Sequence, residues 1–290
     1  MILPSIQGLR DVTAQFDGFI LDLWGVVHDG VEAYPPSADT LRALAAAGKK
    51  TLLLSNAPRR AYVLVDAMTR MGIPRELYGE VLSSGEATRE ALIARTDPFF
   101  AQLGQRAYHL GPDRDRSIFD DTGLNVTTDV SEADFVVNTG PDGLDDEVED
   151  YERILIAARA ADLPMVCSNP DLVVIRSGKP LVCAGAIAKR YEALGGNVAY
   201  RGKPDPAVYH LAVEKLGIAD RARIAVVGDA LETDIKGAKA ANLASIWCTG
   251  GVHAEALGVK YGIAADPVRA AALATKEGYM PEAIIPGFFW

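Results

Sequence analysis

Three short apolar runs in this chain stop on polar residues that can do chemistry. Phe19-Ile20-Leu21 ends on Asp22, Leu52-Leu53-Leu54 on Ser55-Asn56, and Ile224-Ala225-Val226-Val227-Gly228 on Asp229. An uninterrupted apolar run of that length, bounded by turn residues, predicts a strand buried on both faces. Helical stretches lie between the runs. Ser37 to Gly48 is rich in alanine and closes on glycine, and Arg59 to about Met71 follows Pro58, a residue suited to a first helical position. Strand, helix, strand, helix predicts a parallel sheet with right-handed crossovers. Open sheets of that kind bind ligands outside the carboxyl ends of their strands. Asp22, Ser55, Asn56 and Asp229 stand at such ends. Taken singly, each also has an ordinary reading as a turn or helix cap.

The pattern breaks at about Ser84. Ala107–Leu110, Asn125–Thr128, Phe135–Asn138 and Met165–Cys167 read as strands, with helices over Asp145–Ala161 and Ala186–Leu194. It resumes at Gly202-Lys203-Pro204-Asp205-Pro206, which leads a helix, followed by the Asp229 strand and a further helix entered through Ala230–Ala238. Ala244–Cys248 reads as the last core strand. The expected fold class is α/β, with a discontinuous, doubly wound parallel sheet built from 1–83 and 198–290. Residues 84–197 are expected to form an inserted α/β domain. The apolar tail Ile284–Trp290 must pack on something, either its own core or a second copy in a homodimer.

Charge narrows the partners. Lys plus Arg number 29 against 39 Asp plus Glu, a formal balance of −10. That excludes a general nucleic-acid binder, whose affinity comes from clustered positive charge. It leaves room for a small phosphorylated substrate, because one lysine, a few amides and a divalent cation offset a phosphate locally. Apolar runs fall short of the ~20 residues of a membrane span. Cys167, Cys183 and Cys248 are odd in number and widely spread, which fits neither a disulfide framework nor a zinc pattern. Met1–Ser5 lacks the basic start of a signal peptide. The expectation is a reduced, cytoplasmic protein with no membrane partner.

Asp22, Ser55, Gly202-Lys203-Pro204, Gly228-Asp229-Ala230-Leu231-Glu232-Thr233-Asp234-Ile235 and Ser168-Asn169-Pro170-Asp171 together resemble the haloacid-dehalogenase-like superfamily. The likeness is to its NagD-like and p-nitrophenyl-phosphatase-like sugar-phosphatase branch, subclass IIA, which carries a large α/β cap on a Rossmann-like core. The resemblance covers nearly the whole chain. It implies Mg2+-dependent hydrolysis of a phosphate ester, with Asp22 attacking phosphorus and water then hydrolysing the aspartyl-phosphate. It assigns Asp22, the backbone carbonyl of Trp24 and Asp229 to the metal, with Asp234 orienting from behind. Lys203 and Ser55 would neutralise the phosphoryl oxygens. Asn56, at a strand end and helix start, would help hold the substrate's anion, and Asn169 and Asp171 would contact substrate as the cap closes.

Trp24 departs from that pattern. The branch places an aspartate there, to protonate the leaving oxygen and later activate water, and an indole has no titratable proton for that work. Slow turnover is the consequence. His28 and Asp29 follow, and each is either a substitute acid–base group or an ordinary turn residue. Two other readings are a dehalogenase, which shares the missing aspartate but needs no metal, and a non-catalytic protein that binds a phosphorylated ligand.

Overall fold

The computed structural model describes residues 2–176 and 179–290. In chain order its strands begin with β1 (Gly18–Leu21), β2 (Lys50–Ser55) and β3 (Glu80–Ser83). Next come β4 (Arg106–Leu110), β5 (Asn125–Thr127), β6 (Phe135–Asn138), β7 (Met165–Cys167), β8 (Val173–Arg176), β9 (Lys179–Val182) and β10 (Val198–Tyr200). The chain then returns with β11 (Ile224–Gly228), β12 (Ala244–Cys248) and β13 (Ala283–Ile285). One parallel sheet has the order β13-β12-β11-β1-β2-β3, and a second the order β10-β7-β6-β4-β5, while β8 and β9 form a separate antiparallel pair. The fold is α/β, as expected.

The apolar runs are uninterrupted because the first sheet is covered on both faces. Along β1, Phe19 and Leu21 enter a cluster with Leu53, Val227 and Leu41, while Ile20 enters another with Leu52, Val226 and Tyr209. That alternation is the two-residue period of a strand. Each fully buried Leu, Ile or Phe contributes ~1.5–3 kcal/mol, so neither face tolerates a polar residue until the strand ends.

β1 lies between β2 and β11, with Leu21 level with Leu53 on one side and Val227 on the other. From β1 the chain winds outward through β2 and β3, then later through β11, β12 and β13 in the opposite direction. The β1–β11 boundary is therefore the switch point of the sheet, and Asp22 and Asp229 emerge there side by side.

Several local expectations are revised. β10 pairs with β7, so the chain rejoins the first sheet after Tyr200 rather than at 198. Ala244–Cys248 is not the last strand, because β13 pairs outside it. The tail covers its own core: Ile285 and Phe288 are fully buried beside Leu9, and Leu9 N donates to Phe289 O at 2.9 Å. The second helix starts at Ala61, with Pro58 left outside it. Residues 57–59 are held instead by the crossing to the second sheet, where Ala57 O accepts from Gly85 N and Ser84 Oγ, and Arg59 O from Ser83 Oγ. The expected helix at Asp145–Ala161 is a 3-10 turn over Val148–Tyr151 that leads into an α-helix over Glu152–Ala160.

Candidate active site

At the carboxyl edge of the first sheet, Asp22, Asp229 and Asp234 each offer an oxygen within 4.8 Å of the others, and all three are buried. Different devices bring them together. Asp22 follows β1 directly, its N–H bonded to Val227 O at 2.9 Å. Asp229 follows β11; Val252 N donates to its Oδ2 at 2.7 Å, and the Trp247 indole N–H to its backbone carbonyl at 2.8 Å. Asp234 comes back toward the strand end on a π-helical turn, Leu231–Ile235, in which Ala230 O accepts from both Asp234 N and Ile235 N. Such wide turns recur at functional sites. The buried Tyr209 hydroxyl braces it at Thr233 O.

Glycines make this crowding feasible. A Cβ on Gly25 or Gly251 would lie 2.0 or 2.1 Å from Asp229 Oδ2, and one on Gly228 2.1 Å from Asp234 Cγ. Gly25 also has φ of +79°, a backbone region that side chains disfavour. The pair Gly250-Gly251 reads in the sequence only as a turn. Its part in seating Asp229 is a feature that sequence reasoning missed, and the doubled glycine after a strand was its signal.

Lys203 supplies the positive charge. Its Nζ donates to Asp22 Oδ1 at 2.6 Å and to Asp234 Oδ1 at 2.8 Å, with the side chain 3 % exposed. Burial alone would lower its pKa, but the two carboxylates outweigh that and raise it well above the ordinary lysine value. Burial pushes Asp22 well up, against the pull of Lys203, and lifts Asp229 to about 7, with the charge of Asp234 adding to the effect. Lys203 is the partner held charged, because it faces two carboxylates at hydrogen-bond distance. Three buried carboxylates facing one ammonium remain short of positive charge. An all-oxygen donor set in that condition fits a hard divalent cation.

Ser55 and Asn56 end β2 beside this cluster. Ser55 Oγ accepts from Ala57 N at 3.2 Å and lines the cleft. Asn56 is fully committed: its Oδ1 accepts from Lys203 N at 2.7 Å, while Nδ2 donates to Asp171 Oδ1 at 2.8 Å and Lys203 O at 3.1 Å. It thus fixes the backbone of Lys203 and joins it to the second unit. Asn169 Oδ1 accepts from Asp171 N at 3.1 Å, and burial raises the Asp171 pKa. Asn56, Asn169 and Asp171, expected to touch substrate separately, form one chain of contacts ending at Lys203.

Trp24 lines the same cleft, and its indole N–H donates to Ile175 O in β8 at 2.6 Å. His28 Nδ1 accepts from Gly30 N at 3.0 Å, and burial lowers its pKa to about 4, which leaves the ring neutral at pH 7. Asp29 Oδ1 accepts from Val31 N and Glu32 N, both at 2.8 Å, so the carboxylate is occupied in capping its turn. The whole cleft, about 800 Å³, lies between the first sheet and the second unit, with Asp22, Lys203 and Asp229 in its lining.

Residues 19–125 match the haloacid dehalogenase-like hydrolase family, and 200–274 match a second HAD-hydrolase-like family description. Mouse chronophin is 30 % identical over 237 residues, which span 78 % of each chain. An acid sugar phosphatase of Staphylococcus aureus is 27 % identical over 225 residues, spanning 76 % of this chain and 82 % of that one. The crystal structure of a haloacid dehalogenase-like hydrolase from Brucella suis superposes with a TM-score of 0.83 at 31 % identity, covering 98 % of this chain and 99 % of the other.

Proposed function

The chain belongs to the haloacid dehalogenase-like hydrolases, and from that premise we propose that it hydrolyses the phosphate ester of a small metabolite with the help of Mg2+. The observation that carries this reading is the cluster of Asp22, Asp229 and Asp234 about Lys203 at the switch point of the sheet. The phosphatase name of the staphylococcal relative supports it.

Asp22 is the proposed nucleophile. Lys203 occupies its Oδ1, leaving Oδ2 to attack phosphorus as the ester oxygen departs with the bonding pair. Water then attacks the aspartyl-phosphate, releasing inorganic phosphate and restoring the Asp22 carboxylate. Lys203 keeps its proton throughout and offsets charge on the phosphoryl oxygens, with Ser55 as a further donor. Asp22, Asp229 and the Trp24 carbonyl would hold Mg2+, with Asp234 behind them. When bound, the ion supplies charge neutralisation at the phosphoryl group. We take 84–200 as a cap over a core of 1–83 and 201–290.

The Trp24 indole is committed to Ile175 O and carries no acid–base proton, so esters with basic alkoxide leaving groups should turn over slowly. The same observation favours the second reading, a protein that binds a phosphorylated ligand without cleaving it. A hydrolysis screen over aryl and alkyl phosphates, with Mg2+ and with EDTA, separates them. EDTA-sensitive release of phosphate, faster from aryl esters, is expected. Ligand binding without any release would establish the second reading, and metal-free halide release from haloacids would establish a dehalogenase.

A further inference from the structure

Trp24 is packed more specifically than a space-filling indole requires. Gly30, with φ of +87°, lets the backbone lie against the ring: a Cβ there would be 2.3 Å from Cη2 and Cζ2. The His28 ring meets the indole edge to face, centroids 5.9 Å apart at 69°. On its remaining polar corner the ring donates to Ile175 O.

The partner carbonyl is available for a geometric reason. Cys183 N donates to Leu172 O, so pairs alternate along β8 and β9, and Ile175 opposite Pro180 falls at a position not bonded across the ladder. The Ile175 carbonyl therefore points away from β9, along an edge of β8 that no strand covers among the described residues. Pro180 costs the ladder nothing at that position, since its missing N–H would also have faced outward. Among the described residues, Trp24 to Ile175 is the hydrogen bond that joins the loop after Asp22, through Tyr34, to anything between residues 84 and 200. Beside it, Val173, Val174, Ile175, Leu181 and Val182 border the cleft, with Arg176 at the end of β8.

We propose that Trp24 is a positioning residue: by holding the Ile175 carbonyl, it seats the β8–β9 pair over Asp22 and walls the organic end of the substrate with apolar side chains. The substrate class that follows is a phosphate ester of a compact aromatic or apolar alcohol rather than of a polyol. The choice of substrate rests on the phosphatase reading above, whereas the tie itself does not.

Trp24→Phe keeps the ring and removes the donor, and both halves can be read on that protein. Hydrogen exchange of the β8 and β9 amides should speed up about fivefold, the factor for losing one net hydrogen bond of ~1 kcal/mol. With Mg2+, the parent should prefer benzyl phosphate to glycerol phosphate in kcat/KM, a comparison in which both leaving groups are alkoxides. Trp24→Phe should lower that preference about fivefold, chiefly through KM. Gly30→Ala, which pushes the indole from its other side, should loosen the same amides and serves if Trp24→Phe does not fold. Unchanged exchange in a folded variant would overturn the tie, and a parent that prefers glycerol phosphate would overturn the substrate class. Should the parent hydrolyse neither ester, the phosphatase reading fails, and exchange alone decides whether Trp24 holds the pair.

Discussion

Lys203 is buried between Asp22 and Asp234 and satisfies an oxygen on each. Removing one partner of such a group leaves uncompensated charge on buried carboxylates. Lys203→Met should therefore lower stability by ~3–5 kcal/mol, measured by urea unfolding in EDTA, as well as abolish turnover. A loss below 1 kcal/mol would mean that the lysine is not held as described. Asp229 was legible in the sequence as a strand-end carboxylate, whereas the places of Lys203 and Asp234 came from the likeness of their motifs to the family's. Asn56 was legible only as a candidate anion holder. Its amide is spent on Lys203 and on Asp171, 115 positions later, and no local pattern carries a partner at that separation. The same holds for Trp24, whose backbone fits the metal motif while its side chain answers to a residue 151 positions away.

Within β4, His109 sets an acid limit on the second sheet. Its Nε2 is 2.9 Å from Thr139 Oγ1, and burial, helped by Arg116 and opposed by Asp113, lowers its pKa to about 4. The unfolded chain takes up this proton near pH 6.5 and the folded chain only near 4, so stability falls as the pH drops between those values. The contribution is about 2–3 kcal/mol, reduced by the residual exposure of the ring. His109→Gln, which retains a partner for Thr139, should flatten that part of the stability profile relative to the parent. An unchanged profile would assign the acid sensitivity to other groups. Strands of this protein were readable in proportion to their covering. β1, β2 and β11 are apolar throughout because both faces are packed. β3, β8, β9, β10 and β13 were missed: each has three or four residues, and all but β13 are partly open to solvent. Too short for a period, they are fixed by their neighbours.

For the molecule as a whole, metal binding and folding should be linked, since the carboxylates come together only in the folded chain. Mg2+ at about a hundred times its Kd should add ~2.7 kcal/mol and raise the melting temperature by several degrees. Asp229→Ala should abolish the response; a variant that responds like the parent would remove Asp229 from the metal site. The inserted arrangement was legible from the break in pattern after Ser84. Its rejoining point was not, because β10 looks like any short apolar run until its partner β7 is known. The order of strands in the first sheet also has a consequence in time. β1 needs β11 on one flank, and those residues leave the ribosome only after about 200 more have been added, roughly 10–40 s at ~5–20 residues per second. All of β4 through β10 is made in that interval from one continuous stretch, so the second sheet can close while β1 still waits with one edge bare. The nascent chain is thus most prone to mispairing at the strand that later carries Asp22.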